Sequence, residues 1–154
     1  KGAGRRLDIK LQTDTVTLID DYAHHPTEIR ATLAAVRHLR APRVIAVFQP
    51  HRYTRTKLLL QEFGSCFSDA DCVVVTDIYA ASEPVIEGIS GRSIVERIAA
   101  LHPDKKVSYI PKAQLVDSVA GMIQPHDVVI MLGAGDIVKC THELAQRYSS
   151  THTA

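Results

Sequence analysis

Within the stretch Phe48-Gln-Pro-His-Arg-Tyr-Thr-Arg-Thr56, three groups that bind anions, His51, Arg52 and Arg55, stand within five residues. An apolar run stops at Pro50 and a helical pattern begins near Thr54, so the cations are expected at a helix start. There the macrodipole is already positive, and each cation loses a few tenths to about 1 kcal/mol. Arg52 and Arg55 at i, i+3 would share a face. Two guanidiniums and the N–H groups of a helix start suit a carboxylate or a phosphate, because dipole and side chains then act in the same sense. The competing reading is a solvated basic turn paired with Asp20, Asp21 or Glu28. Arg43 upstream and Lys57 downstream are read as surface charge.

A second cluster is Asp20-Asp21-Tyr22-Ala23-His24-His25-Pro26-Thr27-Glu28. Adjacent histidines point in different directions, and no HExxH or other ligand spacing is present, so a shared metal is not expected. One of the two histidines can donate a hydrogen bond to a ligand, with the neighbouring helix dipole holding it neutral. It can equally cap or fill the turn. Asp20 and Asp21 at a strand end could hold a ribose hydroxyl or a metal, although acids there are also common turn residues.

The run Val128 to Val138, VVIMLGAGDIV, opens like a dinucleotide fingerprint, with Gly133 and Gly135 after an apolar strand. Val138 occupies the third glycine position and no strand follows to carry the acidic ribose partner, so a NAD site is not expected. A tight strand-to-helix turn that approaches a phosphate is the remaining reading. The sequence contains no GxxxxGK[ST] phosphate loop, no GxSxG elbow and no Cys-His nucleophile arrangement.

The elements that must position these residues follow from periodicity. Strands are expected at 15–19, 43–48, 72–76, 107–110 and 127–132. Helices are expected from Pro26 to about Leu39, at 54–67, 91–101 and 112–123, and from Gly135 to Tyr148. The opening, KGAGRRLDIKLQTDT, reads as polar, with no element assigned before the first strand. Short β-branched strands alternating with helices indicate parallel βαβ units and an α/β fold: an open, mostly parallel, doubly wound, Rossmann-like sheet flanked by helices, in a single domain. Ligands of such sheets sit beyond the carboxyl ends of the strands, where all the polar clusters fall, including Ile78 to Pro84, IYAASEP.

The 154 residues suffice for one core. Eighteen Lys and Arg against seventeen Asp and Glu give no bulk charge to attract nucleic acid or a membrane. The three cysteines, Cys66, Cys72 and Cys140, lack a CxxC pair and are read as reduced core thiols of a cytoplasmic protein. The first residue is Lys1 rather than Met, which suggests a piece of a longer polypeptide.

DDYAHHPTEI, FQPHRYTRT and GAGDI, in this order, resemble the C-terminal domain of the Mur ligases of bacterial peptidoglycan synthesis. FQPHRYTRT points to the branch that adds L-alanine, whereas HHPTE is shared with the ligase that recycles murein tripeptide. The resemblance spans 1–154, with 1–7 near an interdomain linker and 149–154 a frayed tail. It implies an ATP-dependent amide ligation in which the lactyl carboxylate of UDP-N-acetylmuramate becomes an acyl phosphate that L-alanine attacks. ATP and Mg2+ would be held mainly by a central domain outside this chain, an N-terminal domain would take the UDP-sugar, and the fragment alone would be inactive. His51, Arg52 and Arg55 would bind the amino acid's carboxylate or the anionic reaction centre, Tyr22 and His24 would line the same cleft, and Asp21 would hold the ATP ribose. Ala23 stands where many members are expected to carry Gly. The reading outside this enzyme class is a stand-alone Rossmann-like module that binds a small anion or nucleotide.

Overall fold

The structure is a computed structural model and describes residues 6–152. Most of the expected linker, and residues 153 and 154 of the expected tail, lie outside the described residues. Four strands are built almost wholly of buried apolar and β-branched residues: β2 (Val16–Asp21), β3 (Val44–Phe48), β4 (Cys72–Val75) and β6 (Asp127–Leu132). Burial on both faces is what makes such runs continuous rather than alternating. Two half-exposed strands form the edges, β1 (Asp8–Gln12) and β5 (Lys106–Tyr109). The sheet order is β1-β2-β6-β3-β4-β5, with β1 antiparallel to β2 and the other neighbours parallel.

The strand β1 corrects the polar opening expected from the sequence. Its alternation of Ile9 and Leu11 with charged residues is the pattern of an edge strand, here interrupted by a register shift between those two residues. Strand β2 also runs past Ile19, because Asp20 and Asp21 continue the ladder opposite Met131 and Leu132 of β6.

Helices cover both faces. On one side α1 (Pro26–Arg37), α3 (Leu60–Gly64) and α4 (Gly91–Leu101) bury Ile29, Leu33, Phe63, Ile94 and Ile98 against Ala46, Phe48, Val73 and Ile130. On the other, α5 (Leu115–Met122) and α6 (Ile137–His152) bury Leu115, Val119, Ile137 and Leu144 against Leu18, Val47, Val74 and Val129. The continuous helix expected over 54–67 is instead α2 (Tyr53–Leu58) followed by α3, with a break at Leu59, whose φ is −107° and ψ 22°. Lys112–Gln114 is a 3-10 turn that precedes α5. The last helix starts two residues later than expected and runs on to His152.

All three cysteines are buried and free. Burial pushes the Cys66 thiol up to about 12. Among the described residues no helix is long and apolar enough to cross a membrane.

The carboxyl ends of β2, β6, β3 and β4 lie side by side, so the loops after them gather on one edge. The opposite edge holds Arg43, which corrects its reading as loose surface charge. Its guanidinium donates to Asp127 at 2.8 Å and to the Met122 carbonyl at 2.7 Å, and it stands at the amino end of β3, away from the basic turn. Lys57 is exposed, as expected.

Candidate active site

The first wall of the site is the turn from β2 into α1. Pro26 occupies the first helical turn, where its missing N–H needs no partner. Glu28 then reaches back, accepting from the N–H groups of His24 and His25 at 3.1 Å each. This carboxylate ties the turn down and leaves the two imidazoles on its outer side, with centroids 4.8 Å apart. Tyr22 meets His24 edge to face at 5.3 Å.

Asp21 lies beneath this turn, fully buried. Its Oδ1 accepts from the Leu7 N–H at 2.6 Å, and its Oδ2 accepts from the Ala23 N–H at 2.9 Å and the Thr32 hydroxyl at 3.2 Å. It therefore joins the segment leading into β1, the β2–α1 turn and α1. A carboxylate so enclosed presents no exposed oxygen to a ribose.

The second wall is the turn from β3 into α2. His51 extends the β3–β4 pairing by a parallel bridge to Tyr79, and the Arg52 N–H donates to the Tyr79 carbonyl at 2.8 Å. Arg52 adopts φ 78° and ψ 140°, a conformation that a side chain with a Cβ occupies only under constraint. Its carbonyl accepts from the Thr56 N–H and hydroxyl, which holds it from the other side.

Arg55 donates from Nη1 to the His51 carbonyl at 3.2 Å and to His51 Nδ1 at 3.1 Å. The His51 ring stands 5.6 Å from that of His24, so the two walls meet through imidazoles. Tyr22, His24, His51 and Arg55 are thus brought together. Arg52 leans away, half exposed, with Nη1 3.8 Å from Glu83.

The two rings carry their protons on opposite nitrogens. A guanidinium only donates, so His51 Nδ1 holds a lone pair and Nε2 carries the hydrogen. The carbonyl of Tyr22 only accepts, so His24 Nδ1, 3.0 Å away, carries its hydrogen and Nε2 is the basic nitrogen. Glu28 lies 3.6 Å from His24 Nδ1, placed to stabilise the ring if it takes a proton. His51 is held below the ordinary imidazole value by burial first, then by His24, Arg55 and Arg52. His25 is shifted the same way by burial and Arg55.

The start of α2 does not offer a ligand the open helix dipole expected from the sequence. The helix α2 spans only six residues, and its first orphan N–H groups are not open to a ligand: Glu83 accepts from the Thr54 N–H at 3.0 Å and the Thr54 hydroxyl at 2.5 Å. A resident acid from the β4–α4 loop caps the helix and draws on Arg52. At the GAGD turn two donors are already taken, the Gly133 N–H by the Asp21 carbonyl and the Ile137 N–H at the start of α6 by Gln49 Oε1. Gln49 Nε2 donates to Asp136 Oδ1 at 2.7 Å, and Lys112 Nζ donates to Asp136 Oδ2 at 2.5 Å. Burial pushes the Asp136 carboxyl up, but these two bonds more than offset it and hold it below the usual range.

Sequence reasoning singled out neither Gln49, Tyr79 nor Glu83. Each follows a strand end and falls inside a polar cluster already noted, Gln49 in FQPHRYTRT and Tyr79 and Glu83 in IYAASEP, which was the available signal. Among the described residues no group of three or more His, Cys, Asp or Glu side chains is arranged to hold a metal ion.

The fold is thus an open α/β sheet with its polar loops gathered at the carboxyl edge, where His24 and His51 face each other across two of them and Arg55 stands beside His51. The chain belongs to the Mur ligase family, glutamate ligase domain, whose model matches residues 5–135. It is 47% identical over 148 residues to a UDP-N-acetylmuramate--L-alanine ligase of Pelotomaculum thermopropionicum, covering 96% of this chain and 32% of that protein. It is 49% identical over 147 residues to the protein of the same name from Gloeobacter violaceus, again covering 96% of this chain and 32% of the relative. Among solved structures, a UDP-N-acetylmuramate-alanine ligase from Thermotoga maritima superposes with a TM-score of 0.77 at 28% identity, covering 96% of this chain and 30% of that one. The chain therefore spans about a third of the length of these relatives.

Proposed function

We propose that this chain supplies the amino-acid side of an ATP-dependent amide ligation in peptidoglycan precursor synthesis, joining L-alanine to UDP-N-acetylmuramate in the cytoplasm. The observation that carries the reading is the meeting of His24 and His51 at 5.6 Å, with Arg55 donating to His51. Opposite tautomers give the site one donor and one basic nitrogen beside two guanidiniums, which complements an amino acid at both of its ends. The names of the relatives favour L-alanine over the tripeptide of the recycling ligase.

In this reading Arg55, Arg52 and the His51 Nε2–H bind the carboxylate of L-alanine. Arg52 leaves its loose contact with Glu83 to do so. His24 Nε2 accepts the proton that the ammonium group must lose before its nitrogen attacks, and Glu28 stabilises the resulting imidazolium. Tyr22 lines the cleft and orients the His24 ring. Asp21 enters as the anchor of the β2–α1 turn rather than as a ribose ligand. The carboxyl partner would be the lactyl carboxylate of UDP-N-acetylmuramate, which ATP with Mg2+ would convert to an acyl phosphate in domains outside this chain; phosphate would leave as the amide bond forms, and the buried Asp21 offers no open oxygen to a nucleotide here. This chain's residues then act by positioning and by charge stabilisation.

The test uses the complete ligase. A lost charge-assisted contact costs about 1.5 to 3 kcal/mol, so Arg52→Ala and Arg55→Ala should each lower kcat/KM for L-alanine about ten- to a hundredfold and leave the KM for ATP in place. Unchanged kinetics in both variants would refute the assignment.

A further inference from the structure

We propose that Tyr79 is a positioning residue for the amino-acid site and that the Gly133–Asp136 turn is its seat. Gly135 carries the tyrosine, and the tyrosine holds the His51 ring and the Arg52 backbone in place. This inference rests on the amino-acid site proposed above.

The Tyr79 and His51 rings lie nearly parallel, 18° apart in plane with centroids at 5.5 Å. The Tyr79 backbone is bound on both sides to the same turn, its N–H donating to the Pro50 carbonyl and its carbonyl accepting from the Arg52 N–H, each at 2.8 Å. The constrained backbone of Arg52 is thus maintained partly by Tyr79, as a residue in a sparsely populated conformation requires.

Beneath Tyr79 the absence of a side chain at Gly135 is what permits the approach. A Cβ there would fall 2.6 Å from Tyr79 Cγ and 2.8 Å from Gln49 Oε1, closer than atoms can sit. The seat is itself braced. Asp136 takes Gln49 and Lys112 on its two oxygens. Asp77, in the loop that carries Tyr79, accepts from the Tyr109 hydroxyl and from the Lys112 N–H. One polar chain therefore links the ends of β3, β4, β5 and β6 beside the turn that seats the ring. Tyr79 is 36% exposed and stands outside the buried core on either face of the sheet.

Kinetics of the complete ligase with Tyr79→Phe, Tyr79→Ala and Gly135→Ala test the proposal. Tyr79→Phe keeps the stack and should hold the KM for L-alanine within about twofold. Tyr79→Ala should raise it about tenfold, the upper end for one aromatic contact, with the KM for ATP unchanged. Gly135→Ala should reproduce that selective rise by displacing the ring; if it fails to fold, the Tyr79 pair decides. A second readout is the nitrogen NMR of the His51 ring in this chain: one tautomer in wild type and Tyr79→Phe, averaged tautomers in Tyr79→Ala. An unaltered signature in Tyr79→Ala, or a KM rise shared equally by L-alanine and ATP, overturns the proposal. If the wild-type complete ligase does not consume L-alanine, the functional reading fails instead, and the NMR comparison still decides the positioning role.

Discussion

Two imidazoles at this site are kept neutral by their surroundings, and that sets how the protein responds to acid. His25 and His51 both lie below the ordinary value of 6.5, burial being the largest cause in each. Unfolding returns them to that value, so between the folded and unfolded values the unfolded chain binds more protons and stability rises with pH. Their contribution is complete above 6.5 and is lost as pH falls through the depressed folded values. The thermal midpoint of the chain should therefore begin to drop on acidification below about 6.5, and His51→Gln should flatten that first decline. A midpoint that falls identically with pH in wild type and His51→Gln would contradict the neutral, buried assignment. Glu28 and Asp136 act in the same sense at lower pH, below their ordinary values of 4.5 and 3.8.

At the scale of elements, function depends on how closely helix starts approach strand ends. Gly91 opens α4 directly against the end of β4. A Cβ at that position would lie 2.2 Å from the Thr76 carbonyl oxygen, which belongs to a buried backbone and has little room to yield. Gly91→Ala should therefore destabilise the chain by about 1 to 3 kcal/mol, the usual cost of overpacking, although alanine is the better helix former. A shifted urea midpoint checks this, and an unchanged or raised midpoint would show that α4 moves away freely. The loop between these two elements carries Tyr79 and Glu83, so the close fit at Gly91 also fixes where the second wall of the site receives its support. Helix α2, with six residues, is too short to stand on propensity alone. It is held by Glu83 at one end and by the Thr56 side chain folded back onto Arg52 within it.

Across the whole molecule the sheet has two unlike edges. The carboxyl edge holds the exposed and constrained polar groups of the site, and the amino edge holds the ion pair of Arg43 and Asp127, the latter 2% exposed. Asp127 also accepts from the Gln124 N–H at 2.8 Å, closing the turn into β6. Removing the acid leaves a guanidinium only 21% exposed without its counter-charge, which costs about 3 kcal/mol. Asp127→Ala should accordingly lower the denaturant midpoint of the chain while leaving the KM for L-alanine of the complete ligase unaltered. A changed KM would mean that the two edges are coupled through β3 and β6.

The sequence by itself determined the alternation of strands and helices and the side chains able to bind an anion, because periodicity and side-chain chemistry are local properties. It also located the turns that hold His24 and His51. The edge strand β1 escaped it because a short, charged strand lacks the apolar continuity of buried ones, and the break at Leu59 left no Gly or Pro to mark it. Only the tertiary structure decided that β6, last in sequence among the strands, inserts between β2 and β3, a pairing no local pattern encodes. The same long-range packing turned Asp21 inward, gave Arg43 to Asp127 and Thr54 to Glu83, and set Tyr79 over Gly135. Hydrogen-bond partners distant in sequence are chosen by topology, and a linear pattern carries no record of that choice.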